Sequence, residues 1–171
     1  MIIRRGNPED MKAVLGLIQE LADFEKEPDA VLITVDDLVR DGFGEKPLFH
    51  VFVAEVDSDP SDSEQTKQIV GIALYYYRFS TWKGKTIHLE DLVVKEKMRG
   101  TGAGYALYSE IIKQAKKDKV RRIDWHVLDW NRSAIEFYEK SGANVLDEWR
   151  LAQMDEAAIN HFIDNKIREI N

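Results

Sequence analysis

Between Arg99 and Tyr105 the chain reads Arg-Gly-Thr-Gly-Ala-Gly-Tyr, and a helical apolar stripe follows at once: Leu107, Tyr108, Ile111, Ile112 and Ala115. Three alternating glycines are a costly way to open a helix, because each is worse than Ala by up to ~1 kcal/mol. A helix N-terminus, however, carries unpaired N–H groups and about half a positive charge. Bare backbone there lets an anion approach closely. The stretch therefore reads as a turn that cradles a phosphate or, failing a ligand, as a plain glycine-rich turn. Two familiar phosphate motifs do not fit. A P-loop closes on Gly-Lys-Ser/Thr, yet Gly104 is followed by Tyr105. The dinucleotide fingerprint needs a glycine at 105 and belongs in the first βα turn of a parallel sheet.

The rest of the chain frames that turn. Met1 to Arg5 reads as a strand. Asn7 then caps a helix with Pro8 at its first position, which the apolar spacing carries to about Glu25. Val35 to Phe43 reads as a second helix. Leu48 to Val56, Ile69 to Phe79 and Thr86 to Val94 read as strands, the first two joined by a polar hairpin loop from Asp57 to Gln68. After the helix Thr101 to Lys117 come a strand at Arg121 to Leu128 and a helix at Asn131 to Ser141 closed by Gly142. A last strand at Val145 to Met154 and a helix at Asp155 to Ile170 complete the expectation. The order β-α-α-β-β-β-α-β-α-β-α predicts an α/β (α+β) fold: a mixed, mostly antiparallel central sheet flanked by helices, one domain over residues 1–171.

Composition narrows the chemistry. There is no cysteine, which removes disulfides, thiolate nucleophiles and sulfur-ligated zinc. A net charge of −7 disfavours nucleic acid and suits a cationic partner through its field. No apolar run approaches the ~18 residues of a membrane span, and no signal-peptide pattern opens the chain, so a cytoplasmic protein with no membrane contact is expected. The histidines at 50, 88, 126 and 161 have no metal-ligand spacing on a helix. His88-Leu89-Glu90 has the deaminase His-x-Glu spacing without that family's cysteines. No metal site is read.

A strand ending at Val94, a short link and Arg99-Gly100-Thr101-Gly102-Ala103-Gly104 resemble the acetyl-CoA signature of the GNAT N-acetyltransferases, Arg/Gln-x-x-Gly-x-Gly/Ala. ELADFEK (20–26), DGFGEKP (41–47), STWKGKTIHLEDLVV (80–94), VLDWNRSAIEFYEKSGA (127–143) and EWR (148–150) extend the resemblance to the spermidine/spermine N-acetyltransferase family. STWKG and VLDWN are nearer to its thialysine-acetylating branch. The polar loop and a shortened stretch before Trp149 depart from the pattern, which leaves open whether Asp147 or Glu148 corresponds to the family's acid.

The resemblance implies acetyl transfer from acetyl-CoA to a small primary amine in a ternary complex, by a homodimer. Alkyl ammonium groups lose their proton only near pH ~10.4, so such a reaction needs a base, and the departing thiolate needs an acid. Glu90, inside an apolar strand, is expected to be the base, its pKa raised by burial. Alternation puts it on one face with His88 and Leu92, and Asp91 on the other with Leu89 and Val93. Tyr138, by spacing alone a core residue, matches the family's acid. By the same resemblance Leu92, Val93 and Val94 offer backbone to the pantetheine arm. Arg99 to Tyr105 (with Thr101, Ala103 and Gly104), Asn131, Ser133, Ala134 and Tyr138 contact the coenzyme. Phe24, Glu25, Glu90, Asp124, Trp125, His126 and Glu148 line the amine side. Two other readings stay open: acetylation of protein or peptide amino groups, and a non-catalytic CoA-binding regulatory module.

Overall fold

The structure is a computed structural model and describes residues 1–57 and 67–167. The chain divides into two compact units, Met1–His126 and Val127–Asn171.

The first unit begins with β1 (Ile2–Arg5) and a single 3-10 turn at Pro8–Asp10 that leads into α1 (Met11–Phe24). The entry is set by a reciprocal cap. The Asn7 side chain accepts the Asp10 N–H, and the Asp10 carboxylate accepts the Asn7 N–H. Thr34 and Asp37 repeat the device ahead of α2 (Val35–Phe43). The strands β2 (His50–Asp57), β3 (Lys67–Ser80) and β4 (Gly84–Val94) then run as an antiparallel meander. Most of the polar loop joining β2 and β3 lies outside the described residues, but Asp57 and Lys67 at its ends are paired. After α3 (Ala103–Lys117), β5 (Ile123–Asp124) joins β4 in parallel. The sheet order is β1-β2-β3-β4-β5, so the mixed, mostly antiparallel sheet flanked by helices stands as expected.

Each face of the sheet is covered by a different set of helices. Met11, Val14 and Leu17 of α1 and Leu38 of α2 pack on Val51, Val53, Ile72, Leu74 and Val93. On the other face the buried residues include Phe52 and Tyr75, stacked at 5.8 Å, together with Leu107 and Ile111 of α3. Gly71 of β3 sets how closely α3 sits. A Cβ there would lie 2.9 Å from the Val93 carbonyl oxygen and 3.0 Å from the Leu107 Cδ1.

One irregularity in β4 matters for everything downstream. Leu74 is paired with Asp91, but the next residue of β3, Tyr75, is paired with Leu89. Glu90 is therefore an extra residue, a β-bulge. Cross-strand partners share a face. Asp91, opposite Leu74, thus joins the α1 face with Val93, whereas Leu89, opposite Tyr75, faces α3. The strict alternation that grouped Asp91 with Leu89 fails at this point.

The second unit holds α4 (Arg132–Lys140) and α5 (Glu156–Phe162), the latter continued by a π turn at Ile163–Ile167. Asn131 caps α4 through the Ala134 N–H, and Gly142, at φ +92°, follows its end. Three expectations are corrected. The strand over Arg121–Leu128 shrinks to two residues. The strand over Val145–Met154 is absent, and its side chains are nearly all exposed. Local β propensity makes no strand without a hydrogen-bonded partner. The last helix is shorter than its apolar stripe, with Ile159, Phe162 and Ile163 about half exposed; residues 168–170 lie outside the described residues.

Gly71→Ala is expected to destabilise the protein by about 1–3 kcal/mol, because the added methyl meets backbone on one side and Leu107 on the other. Chemical denaturation with an unchanged midpoint would contradict that close approach.

Candidate active site

The sheet carries a polar cluster on the face of β4 that holds His88 and Glu90. β5 is in register with β4 so that Asp124 lies opposite His88. His88 is buried, at 3% side-chain exposure. Its Nδ1 is 2.7 Å from the Asp124 Oδ1, and its Nε2 is 3.5 Å from the Glu90 Oε2. Arg78 of β3 donates to the same Asp124 oxygen at 2.7 Å, and Arg122 donates to Oδ2 at 3.0 Å. Burial pushes the Asp124 carboxyl upward, but the hydrogen bond from His88 and the charges of Arg78 and Arg122 outweigh it and hold the group below the ordinary range. The rings of Tyr76 and His126 lie 5.2 Å from that of His88 on either side. Burial raises the Tyr76 phenol, and the charge and hydrogen bond of Glu90 raise it further.

Glu90 itself stands at the open edge of the cluster, with its side chain 49% exposed. The expected burial of this carboxylate does not occur, because the bulge turns it outward. The buried acid is its neighbour. Asp91 is pushed up to about 7, chiefly by burial and then by the negative charges of Glu90 and Glu25. Glu25, at the C-terminal end of α1, is also raised by burial. Beside it Phe24 lies under the Arg99 guanidinium, 5.4 Å from ring centroid to carbon. The structure thus brings Phe24, Glu25, Glu90, Asp91 and Arg99 into one neighbourhood.

Asp124, Trp125 and His126 do not act as one lining. Asp124 is already met by two guanidiniums and an imidazole. Trp125 faces the opposite way, its ring edge-on to Tyr108 of α3 at 5.9 Å. Only His126, exposed beside His88, shares the open face.

The glycine turn is built as an open cradle. Gly100 and Gly102 take φ of +77° and +89°, a region that only glycine enters without strain, and nothing lies within 4 Å of the Cβ each would carry. Gly102 is the N-cap of α3 and no side chain caps the helix, whereas α2, α4 and α5 are capped by Thr34, Asn131 and Asp155. Thr101 spends its hydroxyl on the Met98 carbonyl at 2.7 Å. Alongside, β5 pairs with Ile87 and His88, so among the described residues β4 from Leu89 to Val94 has a strand neighbour on its β3 side alone. Leu92, Val93 and Val94 therefore belong to a locally one-sided strand.

In the second unit, Tyr138 of α4 is buried, with the Phe137 ring at 5.3 Å. Asn131 makes its cap, and the Ser133 hydroxyl donates to the Asn131 Oδ1 at 3.2 Å. Ala134 supplies the capped N–H. A cavity of about 480 Å³ in this unit is lined by Asp147 and Trp149 among others, and Glu148 is exposed.

His88, Arg78 and Arg122 escaped the reading of the sequence as site residues. The one signal was the spacing His88–Glu90 along a strand, which places both on one face. Arg78 and Arg122 become visible only once strand register is known.

A family model described as the acetyltransferase (GNAT) family matches residues 17–143. The chain is 40% identical over 148 residues to a thialysine N-epsilon-acetyltransferase of Bos taurus, covering 86% of each protein. It is 36% identical over 141 residues to spermidine/spermine N(1)-acetyltransferase-like protein 1 of Homo sapiens, covering 82% of this chain and 20% of that protein. Among solved structures, an integron cassette protein from V. cholerae has the same fold, with a TM-score of 0.73 at 23% identity over 96% of this chain and 98% of that one.

The buried Asp91 sets a pH dependence of stability. Below pH ~4 the group is protonated in both folded and unfolded chains. Between there and about 7 the unfolded chain releases the proton while the folded one keeps it, so stability falls as pH rises. Asp91→Asn is therefore expected to gain on the native protein by on the order of 2 kcal/mol at pH 8, and by little at pH 4. Thermal melts across this range check it. A gain independent of pH would mean that ionisation is not the cause.

Proposed function

The chain belongs to the acetyltransferase (GNAT) family, and from that premise we propose that it transfers the acetyl group of acetyl-CoA directly to a small primary amine, without a covalent acyl-enzyme. Residues 1–171 act as one N-acetyltransferase domain, in a homodimer.

The observation that carries this reading is the uncapped, glycine-lined start of α3 beside a one-sided β4. Its free N–H groups and positive φ glycines suit the diphosphate of the coenzyme. Arg99 to Tyr105 hold that end, while the backbone of Leu92, Val93 and Val94 offers strand-like hydrogen bonds to the pantetheine arm and a donor to the thioester carbonyl. Asn131, Ser133 and Ala134 are assigned to the coenzyme as well.

Glu90 takes a proton from the substrate ammonium, and the neutral nitrogen attacks the thioester carbonyl carbon. The C–S bond breaks, Tyr138 gives its proton to the departing thiolate, and the second N–H proton leaves the nitrogen and restores the phenol. The products are the N-acetyl amine and CoA. The acidic neighbourhood of Glu25, Glu90 and Asp91, with the Phe24 ring beside it, favours a substrate that carries a second positive charge. His126 and Glu148 complete the amine side. Thialysine-like amino acids lead, since the relative matched over most of its length is a thialysine acetyltransferase. Polyamines follow, supported by the spermidine/spermine-like relative.

Two experiments test this. Gly104→Glu adds a negative side chain in the first turn of α3. A carboxylate there favours the helix but opposes phosphate, and the new Cβ meets only Val94 at an ordinary 3.7 Å. Calorimetry is expected to show a ≥ ~10-fold loss of acetyl-CoA affinity in a fully folded variant; unchanged affinity removes the cradle. An amine panel assayed for CoA release is expected to give turnover with thialysine and spermidine. In Glu25→Gln, kcat/KM is expected to fall more for spermidine, which has further ammonium groups and no carboxylate. Turnover confined to a basic peptide would replace the small-amine reading with the protein-modifying one.

A further inference from the structure

An exposed carboxylate is a poor match for the task given to Glu90. It stands half in solvent, and carboxylates as a class bind protons weakly at neutral pH. The structure supplies a better acceptor directly behind it. We propose that His88 is the residue on which the substrate's proton comes to rest, with Glu90 passing it inward and Asp124 fixing the imidazole to receive it. This rests on the reading of Glu90 as the base and extends it to a relay of three side chains.

The geometry assigns the tautomer. His88 Nδ1 lies 2.7 Å from a carboxylate oxygen of Asp124 and 3.0 Å from the Arg78 Nη1; because Arg78 also donates to that oxygen at 2.7 Å, the arrangement is met with the ring proton on Nδ1 and one carboxylate oxygen accepting from both. Nε2 is then a lone pair, and it points at the Glu90 Oε2 from 3.5 Å. Two acceptors facing each other gain from exactly one proton placed between them. The step balances simply. The ammonium N–H bond breaks and its proton bonds to Glu90, then to His88 Nε2, leaving a neutral amine, a carboxylate and an imidazolium. After acetyl transfer the proton returns through Glu90, which is half exposed, to water.

The surroundings decide how the imidazolium is held. The groups facing His88 are Glu90 on its own strand, Tyr76 and Arg78 on β3, Asp124 on β5, and His126 two residues beyond it. Arg122 occupies the far oxygen of Asp124. Two guanidiniums already offset the charge of Asp124. The counter-charge for a protonated His88 is therefore Glu90. Arg78 Nη1 also lies 3.0 Å from Nδ1, which further disfavours a positive ring unless Glu90 is ionised. His88 thus acts through Glu90 and is a positioning residue rather than one that touches substrate.

The primary test needs no substrate. In NMR titrations of the imidazole nitrogens, His88 of the native protein is expected to carry its neutral-form proton on Nδ1. Its midpoint is expected to fall by ~0.5 pH unit or more in Glu90→Gln, a change at an exposed position. An unmoved midpoint, or the proton on Nε2, overturns the proposal. The second test is kinetic. His88→Gln keeps a polar amide but cannot take up a proton. It is expected to lower kcat at pH 7 by ~10-fold or more, with acetyl-CoA affinity unchanged, and the deficit is expected to shrink severalfold by pH 9.5, where free amine is already present. Equal loss at every pH, or no loss, overturns it. If His88→Gln does not fold, the Glu90→Gln titration decides alone. Absence of turnover on every amine would sink the proposed function yet leave the titration result standing.

Discussion

The extra residue in β4 is the feature on which the site depends. Without the bulge, Glu90 would lie in a regular ladder between β3 and β5, and Asp91 would face α3 with Leu89. With it, the ladder to β3 resumes one residue later, Asp91 turns into the α1 side, and Glu90 stands out of the plane beside His88. A bulge also increases local twist. Beyond it β4 has lost β5 as a neighbour, so the same stretch of strand that aims the acids also has no strand ladder on that side among the described residues. Close packing at Gly71 then brings α3 against this segment and delivers the glycine turn to its end. Side chain, strand edge and helix start are thus placed by two local facts of β3 and β4.

Electrostatics divides the polar groups of the first unit into two roles. Arg4 is bound by Asp10 and Glu55, at 2.7 Å each, which ties β1, the turn ahead of α1 and β2 together. Lys67 adds a second cation on Glu55 at 2.8 Å, so that cluster is charge-balanced. The groups around Glu90 are not: Asp91 and Glu25, both raised by desolvation, lie near a third acid, and no salt bridge joins either to a cation among the described residues. Groups arranged for stability alone gain nothing from this. A carboxyl raised by burial and by like charge lowers folded-state stability at neutral pH, and such costs concentrate where binding or chemistry is done.

Much of the scaffold was readable from residue order. The span read for α2, Val35 to Phe43, is the one observed. The start of α1 follows from Asn7 and Pro8, and the meander from β-branched and aromatic runs broken by polar turns. What failed did so for lack of a partner. Val145–Met154 has strand-forming residues but no strand beside it, and Arg121–Leu128 keeps only the two residues that β4 can pair. The site was half legible. The glycine turn declares itself through glycine's conformational cost, and Glu90 through the oddity of a charge in an apolar strand. The bulge is invisible, because it is a property of two strands in register rather than of one. The face taken by Asp91 was therefore misassigned, while the opposed directions of Asp124 and Trp125 and the convergence of Arg78 and Arg122 on Asp124 were missed because they depend on strand register.

Adjacent acids in one strand normally differ by face and little else. Here Glu90 and Asp91 differ in environment so far that they cannot do the same job. Asp91 is removed from water and holds its proton up to about 7, so near neutrality it is only partly charged. Glu90 is open to solvent on one side and bordered by an imidazole on the other. Pairs of titratable groups whose surroundings push them apart divide acid–base roles between them. The division here is one of access. The group that can reach an incoming ammonium is Glu90, which stands half in solvent, and the neighbouring carboxyl that burial does tune faces inward. A proton acceptor suited to neutral pH must then come from a third group within reach of Glu90, and among the described residues around it the imidazole of His88 is the one with that chemistry and that orientation.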